Sequence, residues 1–160
     1  MEIRAAQEGD FNEIMRVYRA AKSYMDATGN DTQWEVGYPS EKMVREDIFD
    51  QKLYVITEKN EIHAVFYFFN GADEVYQTIY DGAWLNDAPY GVLHRVASDG
   101  KLRGVVRAAV EFAWRSVQNL RIDTHEKNRP MQEALARCGF VRCGIICLPN
   151  GDPRIAYQLT

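Results

Sequence analysis

The stretch Ser98-Asp99-Gly100-Lys101-Leu102-Arg103-Gly104-Val105-Val106 carries the residue types of an anion site. It joins an apolar segment read as a strand to an apolar-periodic segment read as a helix. At a helix start, unpaired backbone N–H groups and the helix dipole both favour negative charge. A diphosphate here would accept N–H bonds from roughly Leu102 to Val106, with Lys101 and Arg103 adding positive charge. The stretch is neither a Walker loop nor a G-x-G-x-x-G turn, so taken alone a plain turn opening a core helix is the commoner reading.

The histidines are the next candidates, because imidazole titrates near neutral pH and can act as a general base. His94 lies on the strand before the turn, read as sharing a face with Val96 and opposite Arg95. His125 ends a later strand, with Asp123 and Glu126 close in sequence. His63 falls within a strand that is apolar on both faces and reads as structural. No two of the three have metal-ligand spacing, so no metal is expected. The loops "GNDTQWEVGYP" and "TIYDGAWLNDAPY" combine aromatics with carboxylates, and Trp34, Tyr80 and Trp84 are candidate walls for a cationic amine. The alternative is that Trp34 and Trp84 only anchor their loops. Cys138, Cys143 and Cys147 fit neither a zinc knuckle nor a redox pair; Cys143 and Cys147 read as buried thiols on one strand face.

The elements that must position these residues follow from periodicity. "EIRAA" is a short strand. Asp10 and Glu13 form a D-x-x-E start for a helix whose apolar face is Phe11, Ile14, Met15, Tyr18, Ala21 and Met25. Pro39-Ser40 opens a second helix that runs to about Phe49. "KLYVITE" and "EIHAVFYFFN" form a hairpin across Lys59-Asn60, the second strand central. A long excursion precedes "GVLHRVAS"; then come a helix from about Leu102 to Gln118, the strand "LRIDT", the helix "RPMQEALARC", and the strands "FVRCGIICL" and "RIAYQL". Seven strands and four helices in this order predict an α/β (α+β) domain with a mixed central sheet, a single domain over residues 1–160.

A hydrophobic content of 46% and regular patterning indicate a folded globular chain. A net charge of −4 argues against a general nucleic-acid binder. No apolar run approaches the ~20 residues of a membrane span, and "MEIRAAQEGD" has no signal-peptide pattern, so a cytoplasmic protein is expected. A homodimer is the expected assembly, because the last strands of domains of this kind often present an edge or swap.

Taken together, "VLHRVASDGKLRGVVRAAVEFA", "LRIDTHEKNRPMQEALARCGFVRCGII" and the element order resemble the GNAT superfamily of N-acetyltransferases over essentially the whole chain. In that family a Q/R-x-x-G-x-G/A motif binds the pyrophosphate of acetyl-coenzyme A. Here the matching residues are Lys101, Leu102, Arg103, Gly104, Val105 and Val106, with Lys at the first position and Val at the last. The resemblance implies that Val96, Ala97 and Ser98 offer backbone groups to the pantetheine arm. It also implies that Asn128, opening Asn128-Arg129-Pro130-Met131, and Met131 belong to the cofactor site, with Gly139-Phe140 as the family's pair after the helix. Many members carry a Tyr seven residues after that Asn, able to protonate the departing thiolate; here the position is Leu135. Tyr80, Tyr90 and Tyr157 are candidate replacements. The implied activity is direct transfer of acetyl from acetyl-coenzyme A to a primary amine of a small molecule or peptide in a ternary complex, with His94 or His125 as base. The alternative is a non-catalytic module that binds or senses acyl-coenzyme A.

Overall fold

A computed structural model describes residues 1–160. The strands are β1 (Glu2–Ala5), β2 (Leu53–Glu58), β3 (Glu61–Asn70), β4 (Gly91–Ser98), β5 (Leu120–Thr124), β6 (Val141–Cys147) and β7 (Pro153–Leu159). The helices are α1 (Phe11–Ala27), α2 (Glu41–Phe49), α3 (Val105–Ser116) and α4 (Arg129–Arg137). The strands form one mixed seven-stranded sheet in the order β1-β2-β3-β4-β5-β7-β6. The expected fold class is thus the observed one. Two compact units make up the chain, Met1–Phe68 with Arg95–Val105, and Phe69–His94 with Val106–Thr160.

In the first unit, β2 and β3 pair antiparallel, and the hairpin is tight because Lys59 and Asn60 both take left-handed φ (52° and 65°). Such a two-residue turn matches the twist of its strands. Leu53, Val55, Ala64 and Val65 are fully buried, and α1 adds Ile14, Val17, Tyr18, Ala21 and Met25 to the same core. Each large apolar side chain buried this way is worth about 1.5–3 kcal/mol. Ser40 caps α2 by accepting the Met43 N–H at 3.1 Å. The expected D-x-x-E cap of α1 does not form. Asp10 instead ends a 3-10 turn over Glu8–Asp10, where it accepts the Gln7 N–H at 2.8 Å and pairs with Arg4 at 2.7 Å, while Glu13 binds Arg16. Arg4 offers Asp10 a charged partner that the helix N–H groups cannot match.

In the second unit, β5 lies parallel to β4 at Gly91–Leu120 and Val92–Arg121, and antiparallel to β7, which also pairs with β6. The excursion before β4 is strapped to β6. Tyr80 and Ile145 exchange backbone hydrogen bonds at 2.8 Å in both directions, and the Ala83 N–H donates to the Cys143 carbonyl at 3.0 Å. A Cβ on Gly82 would stand 1.9 Å from that carbonyl, so the strap requires glycine there. The expected burial of both Cys143 and Cys147 is corrected: Cys143 is buried and Cys147 exposed. A bulge between Arg142 and Gly144 inserts Cys143 as an extra residue and reverses the alternation beyond it. Cys138 is half-buried.

Gly82→Ala is expected to destabilise the protein by about 1–3 kcal/mol in denaturant melts, because the carbonyl it meets is backbone and cannot turn away. A change within about 0.3 kcal/mol would show that the strap is not a fixed part of the fold.

Candidate active site

His94, on β4, is held by a carboxylate from the excursion. Its Nε2 lies 2.8 Å from Asp73 Oδ2, while its Nδ1 lies 3.8 Å from Asp123 Oδ2. Burial pushes the Asp73 carboxyl up, but the hydrogen bond and charge of His94 and the Val75 N–H outweigh it and hold the group below its usual range. Asp73 is therefore ionised near neutral pH and accepts a proton from Nε2, which leaves the lone pair of a neutral ring at Nδ1. Fully buried Tyr76 donates its O–H to Asp123 at 2.6 Å, and its ring lies 5.9 Å from the imidazole. Burial, then the Asp123 charge, push the Tyr76 phenol well up, so it stays a donor.

A stack of rings holds this carboxylate pair. The Asp73 N–H donates to the Tyr90 hydroxyl at 3.0 Å. The Arg121 guanidinium lies over Tyr90 at 3.9 Å and over Trp84 at 4.1 Å, and donates to the Asn86 carbonyl at 2.9 Å. Trp84 donates its indole N–H to the Tyr76 carbonyl at 2.8 Å. Trp84 is thus an anchor of its loop, the alternative weighed from the sequence. Tyr80 is exposed, its backbone tied to β6. Trp34, expected at the substrate side, is 5% exposed and packs edge-on against Tyr18 and Tyr38 in the first unit's core. It belongs to the core because it is an apolar ring with two aromatic neighbours.

His125 is differently placed. Its Nδ1 accepts the Lys127 N–H at 3.0 Å, and burial together with the Arg154 charge lowers it from the ordinary imidazole range. A neutral ring whose lone pair is engaged in this way presents Nε2–H, a donor. Asp123, close to it in sequence, faces His94 instead. Asn128 caps α4 by accepting the Met131 N–H at 3.2 Å, with Met131 half-buried on the first turn. Leu135 is fully buried, so α4 brings no acid to that position.

The turn after β4 is longer than the sequence indicated, since α3 begins at Val105 rather than near Leu102. Lys101, Arg103 and Gly104 are exposed and Leu102 is half-buried. The Gly100 N–H donates to Ser98 Oγ and the Lys101 N–H to Asp99 Oδ1, both at 3.0 Å. Left-handed φ within the turn falls on its glycines, Gly104 at 73°, which explains how Val106 is tolerated at the position where the motif has glycine or alanine. Val96 and Ser98 are half-buried and Ala97 is buried. Arg95 takes a left-handed φ of 50° inside the strand, so the strict alternation expected between His94 and Val96 does not carry across it. Its guanidinium binds Asp47 on α2 and lies 4.6 Å over the Tyr67 ring.

A GNAT family acetyltransferase from Streptococcus agalactiae has the same fold at a TM-score of 0.89 and 32% identity, covering 99% of this chain and 94% of that one. The chain belongs to the GNAT family. GNAT acetyltransferases from Listeria monocytogenes (18% identity, 98% of this chain and 92% of that one, TM-score 0.70) and Bacillus cereus (19%, 99% and 96%, 0.62) share the fold. No family model and no curated protein matches the sequence. An acetyltransferase role follows from the Streptococcus relative. No group of three His, Cys, Asp or Glu is placed to hold a metal ion, and no helix is long and apolar enough to cross a membrane.

Of the site residues, Asp73 and Tyr76 were not legible from the sequence. Asp73 opens a short 3-10 turn inside the excursion, and the only available signal was that this loop returns directly to the strand bearing His94. Asp73 sits below its ordinary range, so its contacts contribute stability above about pH 4 and lose it as the pH falls further. Asp73→Asn is expected to lower Tm at neutral pH and to flatten its fall between about pH 4 and pH 2. Acid limbs of equal slope in the two proteins would contradict the contact.

Proposed function

We propose that this GNAT protein transfers acetyl from acetyl-coenzyme A to a primary amine of a small molecule or peptide by direct attack in a ternary complex. The observation that carries this reading is the His94–Asp73 contact, which sets the Nδ1 side of the imidazole beside a second carboxylate. The residues of the turn suit a diphosphate. Lys101 and Arg103 are exposed cations, and the first amides of α3 have no partner within the helix. By resemblance to the family, Asn128 and Met131, and the backbone of Val96, Ala97 and Ser98, are assigned to the donor.

A bound acetyl thioester supplies an activated carbonyl and a thiolate leaving group. His94 takes a proton from the incoming ammonium at Nδ1, directly or through one water, so that a neutral amine attacks. The proton then meets Asp123 Oδ2 on one side of the ring, with Asp73 fixing the other. The backbone N–H near Val96 polarises the carbonyl as the N–C bond forms and the C–S bond breaks. The second nitrogen proton is released as the amide forms, and the thiolate departs or takes up a proton from solvent. Leu135 offers none. Tyr76 keeps its O–H on Asp123, and burial raises the Tyr157 phenol, making it a weak acid. His125, whose lone pair is engaged, holds the start of α4 rather than acting as base.

The test is release of coenzyme A thiol across a panel of primary amines. His94→Gln is expected to lower kcat by at least about a hundredfold and to remove the neutral-pH limb of the rate profile, with acetyl-coenzyme A binding retained. An unchanged rate and profile in His94→Gln would remove it as base.

A further inference from the structure

We propose that Asp99, with its charge offset by His63 and Arg16, is a positioning residue that sets which amides of the turn face the diphosphate. The inference rests on reading that turn as the diphosphate site. The Asp99 side chain is only 2% exposed. Oδ2 lies 2.9 Å from His63 Nδ1 on β3 and accepts from Arg16 Nη1 on α1 at 3.2 Å. Oδ1 accepts the Lys101 N–H, and the Asp99 N–H donates to the His63 carbonyl at 2.9 Å. Arg16 is itself fixed by the Ile62 carbonyl at 2.7 Å and by Glu13 at 2.9 Å.

A carboxylate beside a diphosphate would repel it, so its presence here calls for both compensation and a reason. Compensation comes from the guanidinium and the imidazole. The reason is geometric. Asp99 engages the Lys101 N–H, as Ser98 engages that of Gly100, so the amides that the turn keeps for the diphosphate begin at Leu102. His63, read from the sequence as structural, and Arg16, remote in sequence, thereby become parts of the donor site.

The experiment compares two donors that differ in the diphosphate and nucleotide: acetyl-coenzyme A, titrated by calorimetry, and acetyl-pantetheine, followed by ligand-observed NMR. Asp99→Ala is expected to weaken acetyl-coenzyme A about tenfold or more while leaving acetyl-pantetheine within about twofold. Asp99→Asn, which keeps an acceptor for the Lys101 N–H, should recover part of that loss. Arg16→Gln, a change at a partly exposed side chain that leaves the core intact, should act in the same direction as Asp99→Ala. Equal weakening of both donors, or no weakening of either in Asp99→Ala and Arg16→Gln, would overturn the proposal. Failure of the parent protein to bind acetyl-coenzyme A would instead remove the reading of the turn itself, and this inference with it.

Discussion

Burying a carboxylate costs several kcal/mol unless specific donors meet it, and Asp47, Asp73 and Asp99 are three that this fold covers beside β4 residues or the turn that follows them. Asp99 meets His63 and Arg16, Asp73 meets His94, and Asp47 meets Arg95. Burial is the largest influence on all three and always opposes the charge, yet the outcomes differ. Asp73 and Asp99 end below their usual range, because the hydrogen bond of His94 or His63, joined by a backbone N–H from Val75 or Lys101, outweighs burial. For Asp47 burial prevails over Arg95 and the group is pushed up. Arg95 is itself held charged, the tyrosines Tyr18 and Tyr38 and Asp47 outweighing its burial. Of these three carboxylates, the two tied to the proposed chemistry are thus the ones held below their usual range.

The excursion before β4 shows how such a contact is made rigid. Arg121 lies against Tyr90 and Trp84, Trp84 against Tyr76, and Tyr90 takes the Asp73 N–H. Below them Gln158 bonds to Asn119 at 2.7 Å and to the Leu85 N–H at 2.8 Å, and Asn119 reaches the Ala88 and Pro89 carbonyls. Polar groups buried this deeply must be satisfied by one another, which fixes the loop's path. A loop built this way acts as a support that presents Asp73 to His94, and the strap at Tyr80 and Ile145 closes its far side.

Much of this was legible in the sequence, for identifiable reasons. The strand and helix order followed from apolar periodicity, and the Lys59-Asn60 and Ser40 positions from turn and cap chemistry. Misread positions were those where a side-chain contact or a backbone irregularity overrode a local rule. Arg4 took Asp10 from its expected cap. One inserted residue at Cys143 reversed the exposure of Cys147. Arg95 adopted a left-handed backbone that period-two reasoning excludes. Trp34 went to the core because Tyr18 and Tyr38 were there to receive it. The Asp73–His94 and Asp99–Arg16 pairs span 21 and 83 positions, beyond the reach of any local pattern. Family resemblance located the turn, but not the side chains that shape it.

Backbone amide hydrogen exchange with and without coenzyme A reads the turn residue by residue. Saturating coenzyme A is expected to slow the amides of Leu102 to Val106, and to leave Gly100 and Lys101, already bonded to Ser98 and Asp99, unchanged. Unaltered exchange from Leu102 to Val106, or slowing confined to Gly100 and Lys101, would contradict the assignment of this turn as the diphosphate site.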